Sequence, residues 1–349
     1  ERVPMKKSIL SPDELRSSLA KMPRVALGTF PTPLQEAPNL SNHFHGPRIL
    51  VKREDLTGLG FGGNKVRHME FVMGDARAKG ADIVININAP IVYPAISNNA
   101  RLSGAAAKKA GFRYVCVVPD GNAKTIDANR LILDLMGTEF HLIDTHDQRE
   151  VNEYTKSLAA EFLAAGHVPY VQPFEPKVRP AGVMGYLQAA LELNNQFKEA
   201  GLEHVTIWMP AGASHGGLTL AAKVLNLPWR VMGVIYSDRS TYFANVLEWS
   251  NSAAKYLDLP VELVQEDLIQ IDGFVGGDYS SLTPEAIHAV RLMAELEGTI
   301  LEPLHTGKAL AGLSQYINDG YFATTESVVF IHTGGLPELF RFNDRLVAR

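Results

Sequence analysis

Short apolar runs alternate with longer amphipathic stretches along almost the whole chain. The runs at residues 83–87, 114–118, 139–143, 205–209, 231–236 and 328–331 are rich in β-branched residues and do not alternate with polar ones. That pattern predicts parallel strands covered on both faces. Between them, apolar positions recur at helical spacing over 98–110, 123–136, 147–165, 182–200, 216–225, 284–296, 307–317 and 337–346. Thr283 before Pro284 reads as an N-cap followed by a first-turn proline. Strand and helix in alternation, with short connections, predict an α/β fold built on parallel sheets. Two stretches interrupt the rhythm: the glycine run 58–63, and 168–180 with its four prolines. If both bracket one unit, the middle of the chain is a small α/β domain inserted into a larger one.

Composition narrows the class. The chain has 349 residues, 46% hydrophobic and 20% charged, which excludes a disordered protein. That length suits two domains or one large one. The net charge of −5 implies no basic face, so no nucleic-acid partner is expected. No apolar run approaches the roughly 18–20 residues that span a bilayer, and residues 1–10 lack the apolar stretch of a secretory signal. A cytoplasmic protein with no membrane partner is expected. Cys116 is the single cysteine, so neither an internal disulfide nor a cysteine-rich zinc site can form. It lies in an apolar run and reads as core. The eleven histidines include no H-E-x-x-H, and Asp144-Thr-His146-Asp147 reads as a solvated turn and N-cap. No metal is expected.

Three motifs carry candidate chemistry. The first is Asp55-Leu-Thr-Gly-Leu-Gly-Phe-Gly-Gly-Asn-Lys65. Gly58, Gly60 and Gly63 match G-x-G-x-x-G, but a dinucleotide site wants an acid ending the next strand, and Asp82 precedes it. That reading also leaves Lys65 without a role. A plain glycine turn before a helix is one alternative. The other is that the glycines let backbone approach a planar ligand while Lys65 projects from a helix start. The positive end of the helix dipole there favours a neutral amine, as Schiff-base chemistry requires. The second motif, Pro210-Ala-Gly-Ala-Ser-His-Gly-Gly-Leu218, follows a predicted strand and opens a helix. Its small residues leave backbone N–H groups for an anion such as phosphate. It also contains G-x-S-x-G around Ser214, the nucleophile elbow of hydrolases, with Asp272 or Asp278 and His305 or His332 downstream as triad partners. Simple packing of helix on strand is the third reading. The last motif, Phe330-Ile-His-Thr-Gly-Gly335, ends the final apolar run. Strand carboxyl ends line the ligand crevice in parallel α/β sheets, so His332, Thr333 and the glycines read as a ligand floor, or His332 as hydrogen-bonded core.

The segment 52–67, K-R-E-D-L-T-G-L-G-F-G-G-N-K-V-R, resembles the lysine segment of the 1-aminocyclopropane-1-carboxylate deaminase and D-cysteine desulfhydrase family. The likeness starts at T-F-P-T-P-L (29–34), passes through Ser97-Asn98 and the Ser214 loop, continues at L-E-G (296–298) and T-G-K-A-L-A-G (306–312), and ends at 332–335. The resemblance implies fold type II, the tryptophan-synthase-β fold: two parallel-sheet α/β domains, the smaller inserted in the larger, with pyridoxal 5'-phosphate in the cleft between them. The expected division is 1–65 plus 178–349 for the large domain and 66–177 for the small one. Lys65 would be the Schiff-base lysine and proton-transfer base, with Asn64 beside it. Asn98 would contact the cofactor's phenolic oxygen. Ser97 would lie beside the substrate carboxylate or act as acid or base. Ala211, Gly212, Ala213 and Ser214 would hold the phosphate, and Thr306 would face the pyridine nitrogen. His332, Thr333 and Gly334 would complete the cofactor site, and Tyr279 falls where the family has an active-site tyrosine.

The sequence also departs from the family. Asn88-Ala-Pro-Ile-Val-Tyr-Pro-Ala-Ile96 replaces a glycine-rich stretch, Asn99 a histidine, His68 a common lysine, and His305 a tyrosine beside Thr306. The expected function is a lyase on a small amino acid. Lys65 would remove the α proton, a β substituent would leave, and ammonia and a 2-oxo acid would be released, as in a D-cysteine desulfhydrase. His305 would protonate the leaving group or orient an anionic substrate; alternatively it only fills space and bonds Tyr279. Cyclopropane ring opening, β-replacement and racemisation are alternatives on the same fold. Ring-opening members carry Tyr-Glu where His305-Thr306 stands. Of other classes, a serine hydrolase using Ser214 and a non-catalytic protein of this fold remain. The family likeness implies a homodimer.

Overall fold

The computed structural model describes residues 9–88, 96–119, 126–145, 147–237 and 239–347. Most of the altered loop 88–96, the first residues of the helix predicted from 123, and His146 lie outside these residues. The first half of the chain runs α1 (Pro12–Ala20), β1 (Leu34–Glu36), α2 (Pro38–Phe44), β2 (Arg48–Lys52), α3 (Lys65–Ala78), β3 (Ile83–Ile87), α4 (Asn98–Ala110), β4 (Arg113–Pro119), α5 (Ala128–Leu135), β5 (Glu139–Ile143), α6 (Gln148–Ala164) and β6 (Pro169–Val171). It continues with α7 (Val178–Glu199), β7 (Val205–Pro210), α8 (Ala213–Val224), β8 (Trp229–Val234), α9 (Arg239–Tyr256), β9 (Ile269–Ile271), α10 (Pro284–Glu297), α11 (Thr306–Asn318), β10 (Ser327–Ile331) and α12 (Asn343–Val347).

The strands form two sheets. One has the order β1-β2-β10-β7-β8-β9, the other β5-β4-β3-β6. Every pairing is parallel except β1 with β2. The fold is therefore α/β with parallel sheets. The four-stranded sheet lies within 83–171, between parts of the other sheet. Side chains alternate across each strand, and on the central strands both faces are buried. β5 is an edge strand with Glu139 and His141 partly exposed and Leu142 exposed, so it is not covered on both faces as its run predicted. On β10, Val329 and Ile331 join an apolar cluster with α7 and α8, while Val328 and Phe330 join a second cluster with α10 and α11. The first cluster also takes in Val84, Tyr114 and Cys116 from the smaller sheet. One core thus connects the two sheets through α3, α4 and α7. Cys116 is buried there, and burial pushes its thiol up to about 12.

The strands predicted at 83–87 and 139–143 match in full; the other four shift by at most two residues at either end. Thr283 caps α10 through the Ala286 N–H, with Pro284 in the first turn and Gly298 closing the helix in the left-handed region. Some elements differ from expectation. The helix expected from 182 begins at Val178, and Pro180 sits in its first turn, where no helical N–H is needed. The helix expected at 216–225 begins at Ala213, so the small-residue motif is itself its first turn. The C-terminal helix expected at 337–346 is a 3-10 turn, Leu336–Phe342, followed by short α12. The helix start expected at Lys65 is the first residue of α3, though the sequence predicts no length for it. Strands β1, β2, β6 and β9 and helices α1, α2 and α9 carry no prediction.

Candidate active site

Sheet order brings the three motifs together. β2, β10 and β7 are neighbours. Their carboxyl ends lead into the glycine run, the 332–335 turn and the 211–214 loop. Backbone bonds join the first two: Asp55 N donates to His332 O (3.1 Å), Asn64 N to Thr333 O (3.0 Å), and Gly63 pairs with Gly334 as an isolated antiparallel bridge. Glycine is required at this contact. Gly62 has φ +68°, and a Cβ there would lie 1.8 Å from Asp55 O. Gly334 has φ +90°, and a Cβ would lie 2.6 Å from the Gly63 Cα.

A cavity of about 570 Å³ opens above these loops. Its wall includes Asn64, Lys65, Ser97 and Asn98, the loop residues Ala211, Gly212, Ala213 and Ser214, and Tyr279, His305, Thr333 and Gly334. Thr306 and His332 are not on that wall. Thr306 is buried with its hydroxyl on Glu302 (3.0 Å to the carbonyl, 3.2 Å to the carboxylate). His332 accepts from Gly334 N at Nδ1 (3.2 Å), so its Nε2 donates to Ile300 O (2.9 Å). Both hold loops from behind.

Lys65 is the first residue of α3. Its amine makes no hydrogen bond among the described residues. Burial, then the Arg101 charge, lowers it to about 8, against an opposing pull from Glu302. Arg101 lies on α4, fully buried, and donates to the carbonyls of Gly60 and Gly62 in the lysine loop. Burial lowers it to about 10. Ser97 caps α4 by accepting from Ala100 N (3.1 Å), which sets Asn98 at the helix start. The Asn98 Oδ1 accepts from Asn129 (3.2 Å) and Arg101 (3.3 Å).

Ser214 lies in the first turn of α8, after Gly212 at φ +155°. Its Oγ accepts from Asn64 Nδ2 (2.9 Å) and stands 3.1 Å from His68 Nε2. Burial, then Lys65, holds His68 down at about 3. That imidazole is neutral near pH 7 and only a weak base toward Ser214. Among the described residues neither His305 nor His332, the two candidate bases, bonds Ser214. His305 bonds the Tyr279 hydroxyl (2.8 Å), His332 bonds Ile300, and Asp278 bonds Ser280 and Ser281. A hydrolase triad is therefore not assembled. Asp82 bonds His167 and Val168 N next to β3, not the glycine run, so the dinucleotide pattern is not assembled either.

Part of the remaining wall is polar, with Asn86, Gln172 and Arg179, and the side around His305 is aromatic. The His305 ring meets Tyr236 edge-on at 4.6 Å and Tyr279 at 5.3 Å. Lys308 Nζ holds this turn through Tyr279 O (3.1 Å). Sequence reasoning missed Arg101, Tyr236 and Glu302. The Glu302 carboxylate accepts from Leu304 N, His305 N and Thr306 N and so caps α11. Burial pushes its carboxyl up, but His305 and the backbone N–H groups outweigh this and hold it below the usual range. The signal was local: an acid four residues before a helix start.

Among the described residues no helix is long and apolar enough to cross a membrane. The profile of the family described as "Pyridoxal-phosphate dependent enzyme" matches residues 25–334. A protein of Pyrococcus horikoshii named "Putative 1-aminocyclopropane-1-carboxylate deaminase" is 35% identical over 331 residues, 95% of this chain and 97% of its own length. A "D-cysteine desulfhydrase" of Klebsiella pneumoniae is 33% identical, covering 94% of this chain and 99% of its own. A solved structure described as "the ACC deaminase homologue" superimposes with a TM-score of 0.84 at 33% identity, over 97% of this chain and 99% of that one. With its lysine, glycine and small-residue loops converging on one cavity, the chain belongs to the family of pyridoxal-phosphate dependent enzymes.

Proposed function

We propose that the protein is a lyase that removes the α proton of a small amino acid, expels its β substituent and releases ammonia with a 2-oxo acid. One observation carries the reading. The Lys65 amine, lowered to about 8 and without a hydrogen-bond partner among the described residues, faces the cavity that also receives the 211–214 loop. A lowered amine is the form that attacks a carbonyl and moves protons near neutrality.

The residues fit the family's cofactor. The cavity has the size of a small-molecule site. The N–H groups opening α8, the Ser214 hydroxyl and the Asn64 amide would hold the phosphate. Asn98 would bond the phenolic oxygen, Thr333 and Gly334 would form the floor, and Thr306 and His332 would fix the loops behind it. When bound, pyridoxal phosphate supplies a carbonyl that condenses with amines and a conjugated ring that accepts the electron pair freed at the α carbon. Lys65 Nζ would hold the cofactor and then carry the α proton. Ser97 would orient the substrate carboxylate. The His305–Tyr279 pair would deliver a proton to the departing group.

A substrate of D-cysteine type suits His305-Thr306 better than ring opening does, because the ring-opening members place a phenol and a carboxyl there. On the same family likeness we place the enzyme in the cytoplasm as a homodimer, with 66–177 as the small domain. Light scattering tests the dimer. The site is tested by borohydride reduction and peptide mapping: a pyridoxyl group is expected on Lys65, and its appearance on Lys52 or Lys308 would overturn the assignment. The reaction is tested with D- and L-cysteine, β-chloroalanine, serine and cysteate beside 1-aminocyclopropane-1-carboxylate. Ammonia and a 2-oxo acid are expected from a β-substituted amino acid, and efficient ring opening would overturn the elimination reading.

A further inference from the structure

We propose that His68 contacts the cofactor's phosphate and makes the grip on that phosphate depend on pH; this rests on the cofactor reading above. His68 stands three residues after Lys65, on the same face of α3. It lines the same cavity. Its Nε2 is 3.1 Å from Ser214 Oγ, in the loop that opens α8, and Asn64 Nδ2 donates to that same oxygen at 2.9 Å. An anion seated on the first turn of α8 therefore meets the imidazole as well as the hydroxyl. The ring is confined. A Cβ at Gly182 on α7 would lie 3.3 Å from its Cε1 and Nδ1, and Tyr186 packs edge-on with centroids 6.0 Å apart. Nδ1 makes no hydrogen bond among the described residues.

The charges around the ring fix the direction of the effect. Lys65 and Arg67 on α3 disfavour the imidazolium and Glu54 favours it, while α7 presents Tyr186 and α8 presents Ser214. No carboxylate bonds the ring among the described residues. Without an anion, burial keeps it neutral near pH 7, at about 3. A phosphate dianion at Ser214 adds the opposite charge that is otherwise missing and draws the imidazole's proton affinity up. Phosphate binding then takes up a proton, and the grip weakens as the pH rises through the imidazole's bound-state value.

The test uses the holoenzyme. Release of pyridoxal phosphate into excess buffer is timed between pH 6 and 9 for the wild type, His68→Gln and His68→Lys. About tenfold faster release of the wild type is expected over that range, beyond any change in His68→Gln, because one proton is linked to the bound phosphate. His68→Lys should hold the cofactor with a flat profile. Phosphorus NMR of unmutated holoenzyme should show the bound phosphate's signal following one titration in the same range. Equal release rates and equal pH profiles for wild type and His68→Gln, or a pH-independent phosphorus signal, would overturn the proposal. A protein that never acquires a chromophore reducible onto Lys65 would instead overturn the cofactor reading itself.

Discussion

Replacing Glu54 by glutamine should loosen the base of the helix that carries Lys65. The Glu54 carboxylate is fully buried and accepts from Arg67 Nε (2.7 Å), Arg67 Nη2 (2.8 Å) and Thr32 Oγ1 (2.6 Å). Arg67 also reaches Glu192 (3.0 Å), which pairs with buried Lys52, and its guanidinium lies 4.1 Å from the Phe30 ring centroid. Burial alone would raise the Glu54 carboxyl, but the Arg67 charge and hydrogen bonds, with Lys52 and Thr32, bring it down from 4.5 to about 2. At about 1.4 kcal/mol per unit, that drop corresponds to about 3 kcal/mol of folding stability. Breaking a buried ion pair from one side costs about 3–5 kcal/mol, so the two routes agree. Because the folded value is depressed, this contribution is complete above pH 4.5 and is lost as the pH falls through about 2. Urea unfolding followed by tryptophan fluorescence should therefore separate wild type from Glu54→Gln by about 3 kcal/mol at pH 7, and by much less at pH 3. A difference under about 1 kcal/mol at pH 7, or one that persists undiminished at pH 3, would refute the reasoning.

Ser214→Ala should weaken retention of pyridoxal phosphate by about 1–2 kcal/mol, the scale of one charge-assisted hydrogen bond. Spectral titration measures this, and full affinity with lost activity would make the hydroxyl chemical rather than structural. On the proposed reading, His305, bonded to Tyr279 at 2.8 Å, would deliver a proton to the leaving group. His305→Gln should lower turnover about 100-fold and flatten the pH profile, the scale of one general acid. Unchanged turnover and profile in both His305→Gln and His305→Tyr would reduce the residue to packing.

Much of the architecture was legible because β3, β4, β7 and β10 are buried, largely apolar runs. Two of the less legible elements, β2 and α3, share a cause: their polar residues are buried in pairs. β2 ends in Lys52, which is buried because Glu192 and the Thr32 carbonyl receive its ammonium. α3 buries Arg67, Glu70 and Asp75, so it has no solvent face to give an amphipathic period. Among site residues, Lys65 and the 211–214 loop stood out because glycine and small residues mark close backbone approach. His68 stood out only as a departure from the family's lysine, since its partner Ser214 is 146 residues away. Arg101 hid in an alanine-rich helix because its acceptors are carbonyls on another loop.

β10 is the last strand in the chain and yet fills the middle of the larger sheet, between β2 and β7. Chains emerge from the ribosome N-terminus first, and distant pairings form late. Until residues 327–334 are out, β2 and β7 lack their shared neighbour and Gly63 lacks Gly334. The loop that carries Lys65 therefore reaches the arrangement described above only after β10 has paired, although it lies about 260 residues earlier in the chain.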